Sequence, residues 1–296
     1  MTVSIGFVGL GEMGSRMVDR MLASGYELIV FDVDQERLRS SREHGAIAAR
    51  SLREVADRTE IVLVSLPSSD AVESVALGHD GLVHGDKIKT YVDMSTCGPE
   101  TATKVASALN DHGIAVLDAP VSGGTRGASE GTLSIIVAGN LETLSANEAL
   151  FRCLGNRVIY VGASPGQAQT VKVLNNLLEA TALAVTSEVM VAGSKAGIAA
   201  SIMLEVFNSS SGRNSATEDI FPNSVVPRTF DEGFSLGLAH KDVRLCMAMS
   251  RGLDVPMFVG GVVEQMFACT LSEMGYGADF SVVTKMYEHW AKTEVR

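Results

Sequence analysis

The sequence predicts an α/β fold: an N-terminal doubly wound parallel sheet, a long interdomain helix, and an all-helical C-terminal domain. Three observations predict it. An apolar, β-branched run over 3–10 (VSIGFVGL) passes straight into a glycine-rich turn and a helical pattern. Short strand-like runs then alternate with helical stretches as far as Val161, the signature of parallel strands joined by crossover helices. Beyond Gly193 the strand signal stops and helical periodicity takes over. A chain of 296 residues can hold two domains of ordinary size, expected here at 1–163 and 164–296.

Taken in order, the first strand leads into Gly9-Leu10-Gly11-Glu12-Met13-Gly14 and a helix over 15–24. This is a GxGxxG pattern between a strand and a helix. Gly9 makes the tight turn, Gly11 lets a pyrophosphate approach the backbone, and Gly14 packs helix on strand. A second strand over 27–31 (ELIVF) ends at Asp32, about 20 residues on, where a carboxylate can bind the adenine-side ribose hydroxyls. These features point to a Rossmann dinucleotide site, with an ordinary strand-to-helix turn as the alternative. A carboxylate at Asp32, reinforced by Asp34, repels a 2′-phosphate and favours NAD over NADP, although Arg37 on the following helix could reach round.

Further strands are expected over 61–66, 90–94, 114–117, 133–138 and 158–161, with helices over 51–57, 69–76, 100–112 and 141–151 between them. Ligands of such sheets sit beyond the carboxyl ends of the strands. Leu66, Pro67, Ser95 and Thr96 follow two of those ends and are expected to line the cofactor groove, with ordinary turn formation as the competing account. After the strand at 114–117 comes Asp118-Ala-Pro-Val-Ser122-Gly123-Gly124. A hydroxyl followed by two glycines exposes consecutive backbone N–H groups, a receptacle for a carboxylate; a flexible glycine turn is the alternative.

Pro165 and Gly166 then open a long helix running toward Gly193. Gln169, Lys172, Asn176 and Glu179 fall on one stripe of it, flanked by Val173, Leu174, Leu177 and Leu178. A lysine on such a half-wet stripe keeps its cation beside a low-dielectric surface, which suits it to exchange a proton, and Asn176 one turn on offers an amide for a second oxygen. A solvated surface lysine is the plain alternative. Helices are expected over 199–210, 241–251, 256–273 and 280–291, the last capped by Asp279. Arg213, in a small polar break, is a candidate for orienting a substrate carboxylate, set against a helix cap with a surface arginine.

Composition narrows the partners. With Lys+Arg 24 against Asp+Glu 35 the net charge is −11, which disfavours nucleic acid and anionic membranes. No basic leader precedes the first strand, and no apolar run is read as membrane-spanning, so a cytoplasmic location is expected. The four cysteines and six histidines show no CxxC or HExxH spacing, so no metal is expected.

Four motifs stand in order: GLGEMG, DMSTCGP, DAPVSGGTRGA and GQAQTVKVLNN. Together they resemble the β-hydroxyacid dehydrogenase family, typified by 3-hydroxyisobutyrate dehydrogenase and tartronate semialdehyde reductase. The resemblance runs from the first strand to the last helices. It implies that Lys172 is the catalytic lysine, Asn176 its partner in holding substrate, and Ser122, Gly123 and Gly124 the carboxylate loop. It also matches Lys241, in His240-Lys241-Asp242, to a lysine near nicotinamide and substrate, where a helix-start charge pair is the alternative. The implied activity is NAD-dependent hydride transfer with a small β-hydroxy acid, by a homodimer or homotetramer associating through the helical domain.

The rivals are a semialdehyde reductase (glyoxylate, tartronate or succinic semialdehyde) using NADPH, an imine reductase, a decarboxylating 6-phosphogluconate dehydrogenase and a non-catalytic dinucleotide-binding protein. Lys172 disfavours the imine branch, and the chain is short for the decarboxylating one. Joint presence of Lys172, Asn176 and the SGG loop disfavours a non-catalytic protein.

Overall fold

The computed structural model describes residues 4–296, so the predicted strand start at Val3 lies outside the described residues. The chain folds into two compact units, Met1–Lys172 and Val173–Arg296. The division falls inside the long helix rather than before it. Its first turn belongs with the sheet because the Gln169 side chain is buried there by four hydrogen bonds to sheet-end residues.

In the first unit nine strands form one sheet: β1 (Ser4–Val8), β2 (Glu27–Phe31), β3 (Ile47–Ala48), β4 (Ile61–Val64), β5 (Thr90–Asp93), β6 (Ala115–Asp118), β7 (Val121–Ser122), β8 (Ser134–Gly139) and β9 (Arg157–Gly162). Their order is β3-β2-β1-β4-β5-β6-β8-β7, with β9 also paired to β8. The first six are parallel. Helices α1 (Glu12–Ala23), α2 (Gln35–Glu43), α3 (Leu52–Arg58), α4 (Ser69–Leu77) and α5 (Pro99–Asp111) make the crossovers. Apolar side chains on the two faces of the sheet fill two cores, one around Phe7, Met17, Leu63 and Phe151, the other around Val62, Val72, Tyr91 and Leu109.

The sheet is mixed rather than wholly parallel. β8 runs antiparallel to β6 and to β7, because the chain reverses through β7 and the short helix α6 (Gly124–Glu130) before returning. The stretch expected to be a loop after Ser122 therefore becomes helical at Gly124. The helix predicted over 141–151 is two helices, α7 (Leu141–Ala146) and α8 (Glu148–Leu154). Asn147 leaves the helical conformation between them, and its amide Nδ2 donates to the Thr143 carbonyl at 2.8 Å.

The long helix α9 (Gln167–Lys195) passes from the first unit into the second, which holds no strand among the described residues. By length and composition α9 could cross a membrane, contrary to the expectation that no apolar run reaches that length. Its apolar window is nevertheless 44% buried, and Val173, Leu177, Leu183 and Met190 lie in the core of the second unit, so it serves as a core helix. Helices α10 (Ala200–Asn208), α11 (Leu236–Gly252), α12 (Phe258–Met274) and α13 (Val283–Ala291) complete that core. A π-helical stretch, Ala216–Val225, contains Pro222 and was not foreseen. Helix α11 begins five residues before the expected position, where the Ser235 hydroxyl accepts from Leu238 N at 3.3 Å. Asp279 caps as expected, accepting from Ser281 N at 3.0 Å.

Gly14 sits where α1 crosses β1: a methyl there would lie 1.9 Å from the Gly9 carbonyl oxygen. Gly14→Ala is therefore expected to lower stability by about 1–3 kcal/mol in denaturant titration. A methyl at Gly11 meets only Arg37 Nη1, at 3.8 Å. Gly11→Ala should stay within about 0.5 kcal/mol of wild type in the same titration.

Candidate functional site

Parallel pairing sets five residues level across the sheet: Phe31, Val8, Val64, Asp93 and Asp118 are successive register partners. The residues that follow them, Asp32, Gly9, Ser65, Met94 and Ala119, therefore leave the sheet along one edge. The ladder extends one residue further, through Gly9 N to Phe31 O at 3.0 Å and Ser65 N to Val8 O at 2.9 Å. Five distant stretches of sequence meet at that edge for this reason alone.

At its left end lies the glycine turn. Gly9 adopts φ +96, and a side chain there would strike the Ser65 carbonyl at 2.2 Å, so only glycine fits. Helix α1 begins at Glu12 with Gly11 as its N-cap and no side chain closing its first N–H groups. Open space over Gly11 and uncapped donors on a 12-residue helix fit the pyrophosphate of a dinucleotide. Leu10 and Gly14 are buried, Met13 is half-buried and Glu12 is exposed.

Asp32 is buried, and its Oδ2 accepts from Leu10 N at 2.6 Å while Oδ1 accepts from Asp34 N at 2.8 Å. The carboxylate thus also holds the glycine turn, a task its spacing did not reveal. Arg37 does reach round: its Nη1 stands 4.0 Å from Asp32 Oδ2 and its Nε 3.5 Å from Asp34 Oδ2.

The middle of the edge is a connected polar network. Leu66 N donates to Ser95 Oγ at 2.9 Å, and Ser95 N donates to Asp93 Oδ1 at 2.9 Å. Ser95 is buried, Thr96 half-buried and Pro67 exposed. Asp93 is fully buried, and burial pushes its carboxyl up to about 7, opposed by the bonds from Ser95. Burial likewise raises Asp118, against hydrogen bonds from Gln169 and Gly166. Burial also drives the Tyr91 phenol well above its ordinary range, and its hydroxyl finds no hydrogen-bond partner.

Beyond β6, Gly123 and Gly124 both take positive φ, +124 and +61, and both are exposed. A side chain at Gly124 would meet nothing within 4 Å. The backbone at Gly123 and Gly124 is thus open to a ligand and in a conformation that residues with side chains rarely adopt.

Lys172 and Asn176 are one turn apart on α9, and both are buried, at 7% and 6% exposure. The stripe expected to be half-wet is therefore mostly enclosed, with Gln169 wholly buried and Glu179 half-buried. Leu174 and Leu178, expected as apolar flanks, are exposed instead.

In the second unit Asn176 Nδ2 donates to Asp242 Oδ2 at 2.6 Å, and Lys241 Nζ lies 3.0 Å from Asp242 Oδ1, an ion pair without hydrogen-bond alignment. Since α11 begins at Leu236, Lys241 stands on its second turn and is no helix-start charge. A small cavity beside Asn176 is lined by Glu179, Ala180, Phe234, Ala239 and Phe280. Burial, then the charges of Asp279, Asp219, Asp231 and Glu179, raise Glu232 to about 7. The Arg213 side chain is 64% exposed and pairs with Glu218 at 3.6 Å. No group of three His, Cys, Asp or Glu among the described residues could hold a metal.

Comparison with known proteins agrees with this geometry. A family model for the NAD binding domain of 6-phosphogluconate dehydrogenase matches residues 4–162. A second, for the NAD-binding region of NADP-dependent 3-hydroxyisobutyrate dehydrogenase, matches residues 166–287. The NAD-dependent L-serine dehydrogenase of Pseudomonas aeruginosa is 35% identical, over 96% of this chain and 97% of its own. The 2-(hydroxymethyl)glutarate dehydrogenase of Eubacterium barkeri is 33% identical, over 99% and 98%. A structure of Mycobacterium tuberculosis 3-hydroxyisobutyrate dehydrogenase with L-serine superposes with TM-score 0.90 at 28% identity, covering 97% and 99% of the two chains.

The chain belongs to the β-hydroxyacid dehydrogenase family.

Within this β-hydroxyacid dehydrogenase, sequence reasoning passed over Asp93, Gln169 and Asp242 as members of the site. The signal available was an acid at the last position of both β5 and β6, in DMS and DAP, where a buried carboxylate needs donors from the loops. A carboxyl raised to about 7 from its ordinary 3.8 favours folding below the ordinary value, and that contribution is lost as pH rises through about 7. Asp93→Asn should therefore flatten the fall in Tm between pH 5 and 8, by about 2–4 °C in calorimetry.

Proposed function

We propose that this chain is an NAD-dependent dehydrogenase that oxidises the carbinol of a small β-hydroxy acid, with Lys172 as the group that takes the hydroxyl proton. The observation that carries the assignment is the buried Lys172–Asn176 pair on α9, in a chain whose sheet edge has an open glycine turn beside the buried carboxylate of Asp32. A nicotinamide dinucleotide held by these residues would supply the acceptor for the hydride of the carbinol carbon.

The chain's own residues do the rest. Gly9, Leu10, Gly11, Glu12, Met13 and Gly14 turn the backbone so that α1 meets the pyrophosphate, and Asp32 accepts from the ribose hydroxyls. Leu66, Pro67, Ser95 and Thr96 line the groove. Consecutive N–H groups at Ser122, Gly123 and Gly124 hold the substrate carboxylate. Neutral Lys172 accepts the hydroxyl proton as the carbonyl forms, and in the reverse direction the ammonium returns it. Asn176, fixed by Asp242, presents its amide to the substrate, and Lys241 adds positive charge for the acid. Arg213 pairs with Glu218 at the surface, and a part for it in orienting the substrate carboxylate would show as a raised KM in Arg213→Ala.

The two relatives and the structure cited above act on or carry a hydroxymethyl group next to the carbon bearing a carboxylate. That supports 3-hydroxyisobutyrate, L-serine and 2-(hydroxymethyl) diacids as the class to assay. The preference for NAD rests on Asp32 and Asp34, whose charges oppose a 2′-phosphate more strongly than the half-exposed Arg37 attracts one.

Two measurements test this. Lys172→Ala should lower kcat by about 10²–10⁴-fold with NAD binding retained; a variant that turns over at the wild-type rate would remove the lysine from the chemistry. In parallel assays kcat/KM with NAD should exceed that with NADP by at least about tenfold, equivalent to some 1.4 kcal/mol.

A further inference from the structure

Gln169 is a wholly buried amide with every hydrogen-bonding position used. Its Oε1 accepts from Cys97 N at 3.0 Å and Gly98 N at 3.1 Å. Its Nε2 donates to Ser95 O at 3.0 Å and to Asp118 Oδ1 at 2.8 Å. The other Asp118 oxygen accepts from Gly166 N at 2.8 Å and Gln169 N at 3.1 Å. Six bonds from one amide and one carboxylate thus tie the start of α9 to the ends of β5 and β6. Gly166, at φ +97, adds a backbone fit: a side chain there would lie 2.6 Å from Thr103 Oγ1.

This is more than a helix start needs. Lys172 lies three residues after Gln169, on the same face of α9 and about 4.5 Å along its axis. Two opposed pairs of bonds at Gln169 prevent the helix from sliding or rotating, so they set where the Lys172 amine emerges. The same amide reaches the substrate and cofactor loops, since Ser95 also receives Leu66 N and Asp118 precedes Ser122–Gly124.

We infer that Gln169, locked by Asp118, is a positioning residue that sets the placement of the Lys172 amine relative to the loops at the ends of β5 and β6. The inference rests on Lys172 being the proton-transferring group. Gln169 itself touches no reacting atom.

The test compares Gln169→Leu, Gln169→Glu and Lys172→Met in the full chain, by kcat, KM, NAD affinity and the deuterium isotope effect at the carbinol carbon. For Gln169→Leu, kcat should fall about 10–100-fold and the isotope effect rise, with NAD affinity within about threefold of wild type. Gln169→Glu keeps the volume and serves if the leucine variant does not fold. The titratable groups around that position are Asp118 on β6, Asp93 and Tyr91 on β5, Cys97 in the loop after it, and Lys172 on α9. A neutral acid at 169 can still donate to Asp118, whereas its carboxylate would confront Asp118 and the Ser95 carbonyl. The ratio of its kcat to that of wild type should therefore fall as pH rises.

A fall in kcat with unchanged isotope effect in Gln169→Leu, or a pH-independent ratio in Gln169→Glu, would mean a merely structural role and overturn the inference. Lys172→Met with full turnover would instead sink the acid–base role from which it follows. An inactive Lys172→Met beside wild-type Gln169 variants would leave that role standing and remove only the positioning.

Discussion

Level pairing of parallel strands is the constraint from which the site follows. Because Phe31, Val8, Val64, Asp93 and Asp118 share one row, every loop that leaves the sheet after them starts at the same height. A one-residue slip in any pair would move that strand's apolar side chains to the other face and displace its loop. The register is held by Val, Leu and Ile on both faces, packed against helices, so the cost of a slip falls on two cores at once. Rigid placement of loops is what a dinucleotide site needs, and here it comes from the hydrophobic interior.

Buried acids at the sheet edge are the second theme. A carboxylate taken out of water is costly unless donors meet it, and Asp118 is met by two backbone N–H groups and the Gln169 amide. Asp93 is met by Ser95 N and the Cys97 thiol at 3.6 Å, and burial pushes its carboxyl up to about 7. The acids thus act as anchors for the loops that carry Ser95, Thr96 and the start of α9.

Much of this was legible in the residues. The glycine turn, Asp32, and the alternation of strands and helices are local patterns with local causes: steric demand at φ +96, a helix end without a cap, and short apolar runs buried on both faces. The antiparallel return of β8 was not legible, because a six-residue apolar strand reads alike in either direction. Neither was the break at Asn147, where one side chain substitutes for helical bonds. The unsuspected burial of Lys172 and Asn176 has the same origin, since a stripe of polar residues on a helix carries no record of what will cover it.

By itself the sequence determined the order of elements, the glycine positions that no other residue can fill, and the four motifs that place the chain in its family, since each depends on neighbours a few residues away. Only the tertiary structure decided that Gln169, Asp118 and the loop after β5 form one clamp, that Arg37 reaches Asp32, and that Arg213 turns to Glu218. Those contacts join residues far apart in the chain, and their partners are chosen by strand register and helix packing, which no local stretch of residues encodes.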